Sequence, residues 1–125
     1  MLKPEVKRMS GKPTVVFDFD GVIHSYKSGW QGIDVIPDPP VEGIRDAISK
    51  LRKQYRLVVV SSRCREKKGL QATRDWLKEH HIIVDDITFQ KVPAIVYVDD
   101  RALTFNGNAE ELMDQIRHFK PWYRR

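Results

Sequence analysis

The sequence predicts one α/β domain, a mostly parallel sheet with helices on both faces. Three observations carry this prediction. Short apolar, β-branched runs alternate with segments of helical periodicity; 125 residues suffice for one hydrophobic core and not two; and the runs stop abruptly at polar residues.

The elements follow in chain order. Residues 1–12, with Lys3, Lys7, Arg8 and Lys12 against Glu5, read as a flexible basic lead, and organisation begins at Pro13. Residues 14–19 are apolar on both faces, as a central parallel strand requires. Gly29, Gly32, Pro37, Pro39 and Pro40 break any period across residues 24–40, which read as a loop or short flap. Asp38 before Pro39 predicts a helix cap, opening a helix with Val41, Ile44, Ile48 and Leu51 on one face. A second buried strand over 57–60 ends at Ser61, Ser62 and Arg63. A helix follows from about 66 to 80, with Leu70, Thr73, Trp76 and Leu77 at helical spacing and Trp76 in the core. Residues 82–89 supply a short strand or two, and 94–98 supply a clear one that stops at Asp99 and Asp100. Asn108 with Glu111 forms a capping box for a last helix bearing Leu112, Met113, Ile116 and Phe119.

Composition narrows the class. The lone Cys64 excludes an internal disulfide framework, and no apolar run approaches a membrane span or signal-peptide core. A soluble, cytoplasmic protein with no membrane partner is expected. The formal charge is +5, but residues 1–12 carry +3 and residues 117–125 carry +4, leaving −2 between them. Basic tails of this kind serve solubility more simply than they serve a polyanion, so nucleic-acid binding is open but not favoured. The closing run of Phe119, Lys120, Pro121, Trp122, Tyr123, Arg124 and Arg125 reads as an anchor for the last helix rather than a stacking surface. Cys64 lies near the second strand end, but no His and Asp pattern accompanies it as for a thiol nucleophile.

Asp18 and Asp20 are the most informative pair. A strand places residues i and i+2 on one face, so two carboxylates crowd the spot where the strand gives way to Gly21. Like charges that close require a cation or a shared proton. Ligands bind at the C-terminal ends of parallel strands, and three such ends here carry polar groups: Asp18 with Asp20, Ser61, and Asp99 with Asp100. Phosphoryl transfer is chemistry they can share.

The stretches FDFDGVI at 17–23, VVVSSR at 58–63, Lys91, and VYVDDRA at 96–102, in that order, resemble the haloacid dehalogenase superfamily of phosphohydrolases. The resemblance covers nearly the whole domain, residues 13–125. It implies a Rossmann-like three-layer sandwich, a magnesium ion, and hydrolysis of a phosphate monoester through an aspartyl-phosphate intermediate. By position, Asp18 would be the nucleophile and Asp20 the acid and base that serves the leaving oxygen and the water. Ser61 would donate to the transferring phosphoryl group, and Lys91 would neutralise it, with Arg63, Lys67 and Lys68 as rivals for that charge. Asp18, the Asp20 backbone carbonyl and Asp99 would hold Mg²⁺, with Asp100 a further ligand. Oxygen donors of this kind suit a hard cation and argue against zinc.

Gly21, Ser62, Arg63 and Trp30 complete the candidate phosphate- and substrate-binding residues. Trp30, in a Gly-flanked loop, either covers a substrate base or sugar or pins the flap to the body. His24 reads as a solvated loop histidine. The interval between Ile23 and Val41 is only loop-sized, so no separate cap domain is expected, and a site without a roof admits a nucleic-acid end, a phosphoprotein or a small sugar or nucleotide phosphate. The alternative classes are a receiver-like phosphoacceptor and a non-catalytic binding module. A receiver carries its acidic pair on the first strand and its Lys last, whereas Lys91 here precedes Asp99 and Asp100.

Overall fold

Strand pairing explains the architecture. In the computed structural model, which describes residues 11–124, β1 (Thr14–Asp18) lies between β2 (Arg56–Val60) and β4 (Val96–Val98). β3 (Asp86–Thr88) joins the far side of β2, giving the order β3-β2-β1-β4 with every pair parallel. Among the described residues three helices complete this small α/β fold: α1 (Ile44–Leu51), α2 (Lys67–Glu79) and α3 (Leu112–His118). The basic lead expected over residues 1–12 falls outside the described residues except for Gly11 and Lys12, and Lys12 Nζ donates to the Arg52 carbonyl at 2.9 Å. No helix of the described residues is long and apolar enough to cross a membrane.

The core forms where the apolar runs meet the helix stripes. Val15, Phe17 and Phe19 from the β1 region and Leu57 and Val59 from β2 pack with Ile48 of α1 and Trp76 and Leu77 of α2. Each aliphatic side chain removed from water in this way contributes about 1.5–3 kcal/mol before entropy is subtracted. Trp76 is in the core as expected, and its indole Nε1 donates to the Asp38 carbonyl at 3.2 Å.

Two elements depart from expectation. Asp38 does not cap a helix; α1 starts later, at Ile44, behind Gly43. The cause is pairing across the flap: Ser25 N donates to Pro39 O at 2.9 Å and Val41 N to Ile23 O at 2.8 Å, which holds residues 38–41 extended. Asp38 instead accepts from Ser28 N and Ser28 Oγ at 2.7 and 2.6 Å. The last helix forms, but its expected core face stays open, with Met113 70 % and Ile116 63 % exposed. Asn108 caps the short 3₁₀ turn ahead of it by accepting from Glu110 N at 3.0 Å.

Candidate active site

Parallel register places the polar strand ends side by side. Asp18 is level with Val60, so Ser61 is the next residue on the neighbouring strand, and Phe17 is level with Val98, so Asp99 comes next to Asp18. Asp18, Asp99 and Asp100 offer carboxylate oxygens that all lie within 4.8 Å of one another. Asp18, Asp20, Ser61, Ser62, Tyr26, Trp30, Asp100 and Arg101 line one cavity of about 190 Å³.

Crowding is visible in the electrostatics. Burial, a hydrogen bond with Asp100 and the charges of Asp99 and Asp100 push the Asp18 pKa up to about 9, against the opposing backbone hydrogen bond from Phe19. Three hard oxygen donors at this spacing fit a metal ion and do not by themselves single out one hard cation. One cation approaches the cluster from the rim, Arg101 Nε lying 4.0 Å from Asp100 Oδ2.

Asp20 has a different environment. Its carboxylate stands outside that cluster: Oδ2 accepts from Arg63 Nε at 2.9 Å, and Oδ1 lies 2.8 Å from His24 Nδ1. His24 Nε2 accepts the backbone N–H of Asp38 at 3.1 Å, so in the neutral ring the proton sits on Nδ1 and is donated to Asp20. The expected solvated loop histidine is therefore fully buried, stacked on Phe19 with ring centroids 5.7 Å apart and edge-on to Trp76 at 5.6 Å.

Arg63 is drawn inward rather than toward a phosphate. It is fully buried; its Nη1 donates to the carbonyls of Gly32, Ile33 and Val35 at 2.7, 3.0 and 3.1 Å, which ties the flap to Asp20. The Nη2 group has no hydrogen-bond partner among the described residues, and Arg63 Cζ lies 4.5 Å from the Trp30 ring centroid, where the aromatic face receives the guanidinium charge. Trp30 thus pins the flap on one face and still remains 53 % exposed in the cavity wall.

Ser61 caps the 3₁₀ turn at Ser62–Arg65, its Oγ accepting from Arg63 N at 3.2 Å, which leaves the hydroxyl hydrogen free to donate. Ser62 is exposed at the same rim. Gly21 has φ +87, and a Cβ there would meet Asp100 Oδ2 at 2.3 Å, so only glycine admits the β4 carboxylate this close. Lys91 is not brought to the cavity; its Nζ stands 5.4 Å from the Tyr97 ring centroid. The cation in the wall is Arg101, the residue after the Asp pair, whose position in VYVDDRA was the available signal. Burial pushes the Cys64 thiol up, and a Thr73 hydrogen bond and the charges of Arg74 and Arg63 offset this only in part, so it is no activated nucleophile.

The C-terminal segment also reaches the site, which the sequence did not suggest. Trp122 Nε1 donates to Gly21 O at 2.7 Å, and Tyr123 OH donates to Asp100 Oδ2 at 2.7 Å. No family model, curated protein or solved structure matches this chain.

Proposed function

We propose that this chain is a cytoplasmic, Mg²⁺-dependent phosphatase of the haloacid dehalogenase type, built on a Rossmann-like three-layer arrangement without a cap domain, that hydrolyses a phosphate monoester through an aspartyl-phosphate. The observation that carries the reading is the convergence of Asp18, Asp99 and Asp100 at the ends of two parallel strands, where Asp18 and Asp100 share one cavity with Asp20, Ser61 and Ser62. Asp18, Asp99 and Asp100 would hold the ion. When bound, Mg²⁺ supplies the positive charge that lets a phosphate dianion approach these carboxylates.

The chain's own residues account for the remaining steps. An Asp18 oxygen attacks phosphorus, forming the acyl phosphate as the ester oxygen departs. Asp20, as the carboxylic acid, gives its proton to that oxygen; as the carboxylate it then takes a proton from the water that attacks phosphorus and restores Asp18. Arg63 and His24 hold the Asp20 carboxyl group in one orientation through both halves. The free Ser61 hydroxyl hydrogen donates to a phosphoryl oxygen, and Arg101 at the rim takes the electrostatic task first assigned to Lys91.

Phosphate release from an aryl phosphate in the presence of Mg²⁺ tests the reading. Wild-type protein is expected to turn over and to stop when the metal is chelated. Asp18→Asn should lower kcat by at least about 10³-fold with an unchanged circular dichroism spectrum. Normal hydrolysis by that variant would overturn the nucleophile assignment, and stable phosphorylation without turnover would favour a phosphoacceptor instead.

A further inference from the structure

Asp100 does not stand alone at the end of β4, because the far end of the chain returns to it. Trp122 and Gly21 are 101 residues apart in sequence, yet the indole donates to the Gly21 carbonyl at 2.7 Å. That contact sets the next residue, and Tyr123 OH gives its proton to Asp100 Oδ2 at 2.7 Å. The Arg101 guanidinium lies beside the same carboxylate oxygen, its Nε 4.0 Å from Asp100 Oδ2. The Tyr123 ring is itself located, edge-on to Tyr26 with centroids 6.1 Å apart. It also lies where a Gly21 side chain would be: a Cβ at Gly21 would meet Tyr123 Cε1 at 2.9 Å. The positive-φ glycine of the first motif therefore makes room for the β4 carboxylate and the C-terminal tyrosine together.

We propose that Tyr123 is a positioning residue for the metal centre, fixing the Asp100 carboxylate by a hydrogen bond, and that Trp122 is the anchor that brings it there. The inference rests on the reading that Asp100 helps to hold the cation. A carboxylate with one oxygen engaged by a fixed donor has lost most of its rotational freedom before the ion arrives, and such outer partners of metal ligands are commonly worth 10- to 100-fold in affinity. Trp122 and Tyr123 of this basic, aromatic segment thus serve the site and not only the last helix.

Mn²⁺ binding to the full chain, followed by the electron paramagnetic resonance signal of the free ion, tests this without depending on turnover. Tyr123→Phe keeps the ring and removes the hydroxyl, and is expected to weaken Mn²⁺ binding about tenfold or more. Trp122→Ala should weaken it to a similar extent by releasing the tyrosine. Thermal unfolding of each apo variant separates positioning from packing: a lowered Tm with wild-type Mn²⁺ affinity in Tyr123→Phe would overturn the proposal. A wild-type chain that binds no Mn²⁺ would instead remove the metal reading, and this inference with it. Weakened affinity in Tyr123→Phe with a Tm near that of the wild type supports it.

Discussion

Arg63 shows how a single side chain can decide what a site is for. Its charge lies between Asp20, three flap carbonyls and the Trp30 face, so it organises the cavity without entering it. A consequence falls on Trp30. One face of the indole rests on the guanidinium while the residue stays half exposed in the cavity wall, a preorganised surface for a flat group on the substrate. Stacking on such a surface is worth about 1–3 kcal/mol. The ratio of kcat/KM for phenyl phosphate over glycerol phosphate should therefore fall about tenfold in Trp30→Ala, mainly through KM for the aromatic ester, and recover in Trp30→Phe. An unchanged ratio would assign Trp30 to flap anchoring alone. His24 carries the complementary lesson: a histidine between loop residues reads as solvated, and only the closure of residues 23–25 against 39–41 buries it on Asp20.

At the scale of elements, the sheet depends on how its short outer strands are held. Asp85 stands just ahead of β3 and extends the ladder to β2: its N–H donates to Leu57 O at 2.9 Å, its Oδ2 accepts from Leu57 N at 2.8 Å and its Oδ1 from Arg52 Nη2 at 3.0 Å. Desolvation raises the pKa of this carboxyl, but the Arg52 and Leu57 hydrogen bonds and the Arg52 and Arg56 charges outweigh it and hold the value below the usual range. The sign follows from linkage. A depressed folded-state pKa stabilises the fold above the unfolded value, near 4, and that contribution is lost as pH falls through the folded pKa. Asp85→Asn should cost about 1 kcal/mol of unfolding free energy at pH 7, a figure reduced for partial solvent exposure. Denaturant titrations should show the difference shrinking toward pH 2; a constant difference across that range would show that the charge is not what Asp85 contributes.

Across the whole molecule, what could be read in the sequence was local and what could not was remote. The strands of the site were legible because apolar β-branched runs ending in Asp or Ser depend only on neighbours, and parallel register then brings Asp18, Ser61 and Asp99 to one edge. Asp38 misled because Asp before Pro is a good cap locally, whereas pairing of Pro39 and Val41 with the flap is not visible in any short window. The docking of Trp122 and Tyr123 was hidden for the same reason, since nothing near residue 122 encodes the Gly21 carbonyl or the Asp100 carboxylate. Arg101 is legible in principle, being adjacent to the Asp pair, and it lines the cavity that Lys91 does not reach. The central claim is that these converging strand ends make Asp18 a nucleophile toward phosphorus. Rapid quenching of the protein during turnover of an aryl phosphate with Mg²⁺, followed by borohydride reduction and peptide mass analysis, tests it most directly. The account predicts homoserine at position 18, formed by reduction of the acyl phosphate; turnover that leaves residue 18 as aspartate while another residue carries the phosphoryl group would contradict it.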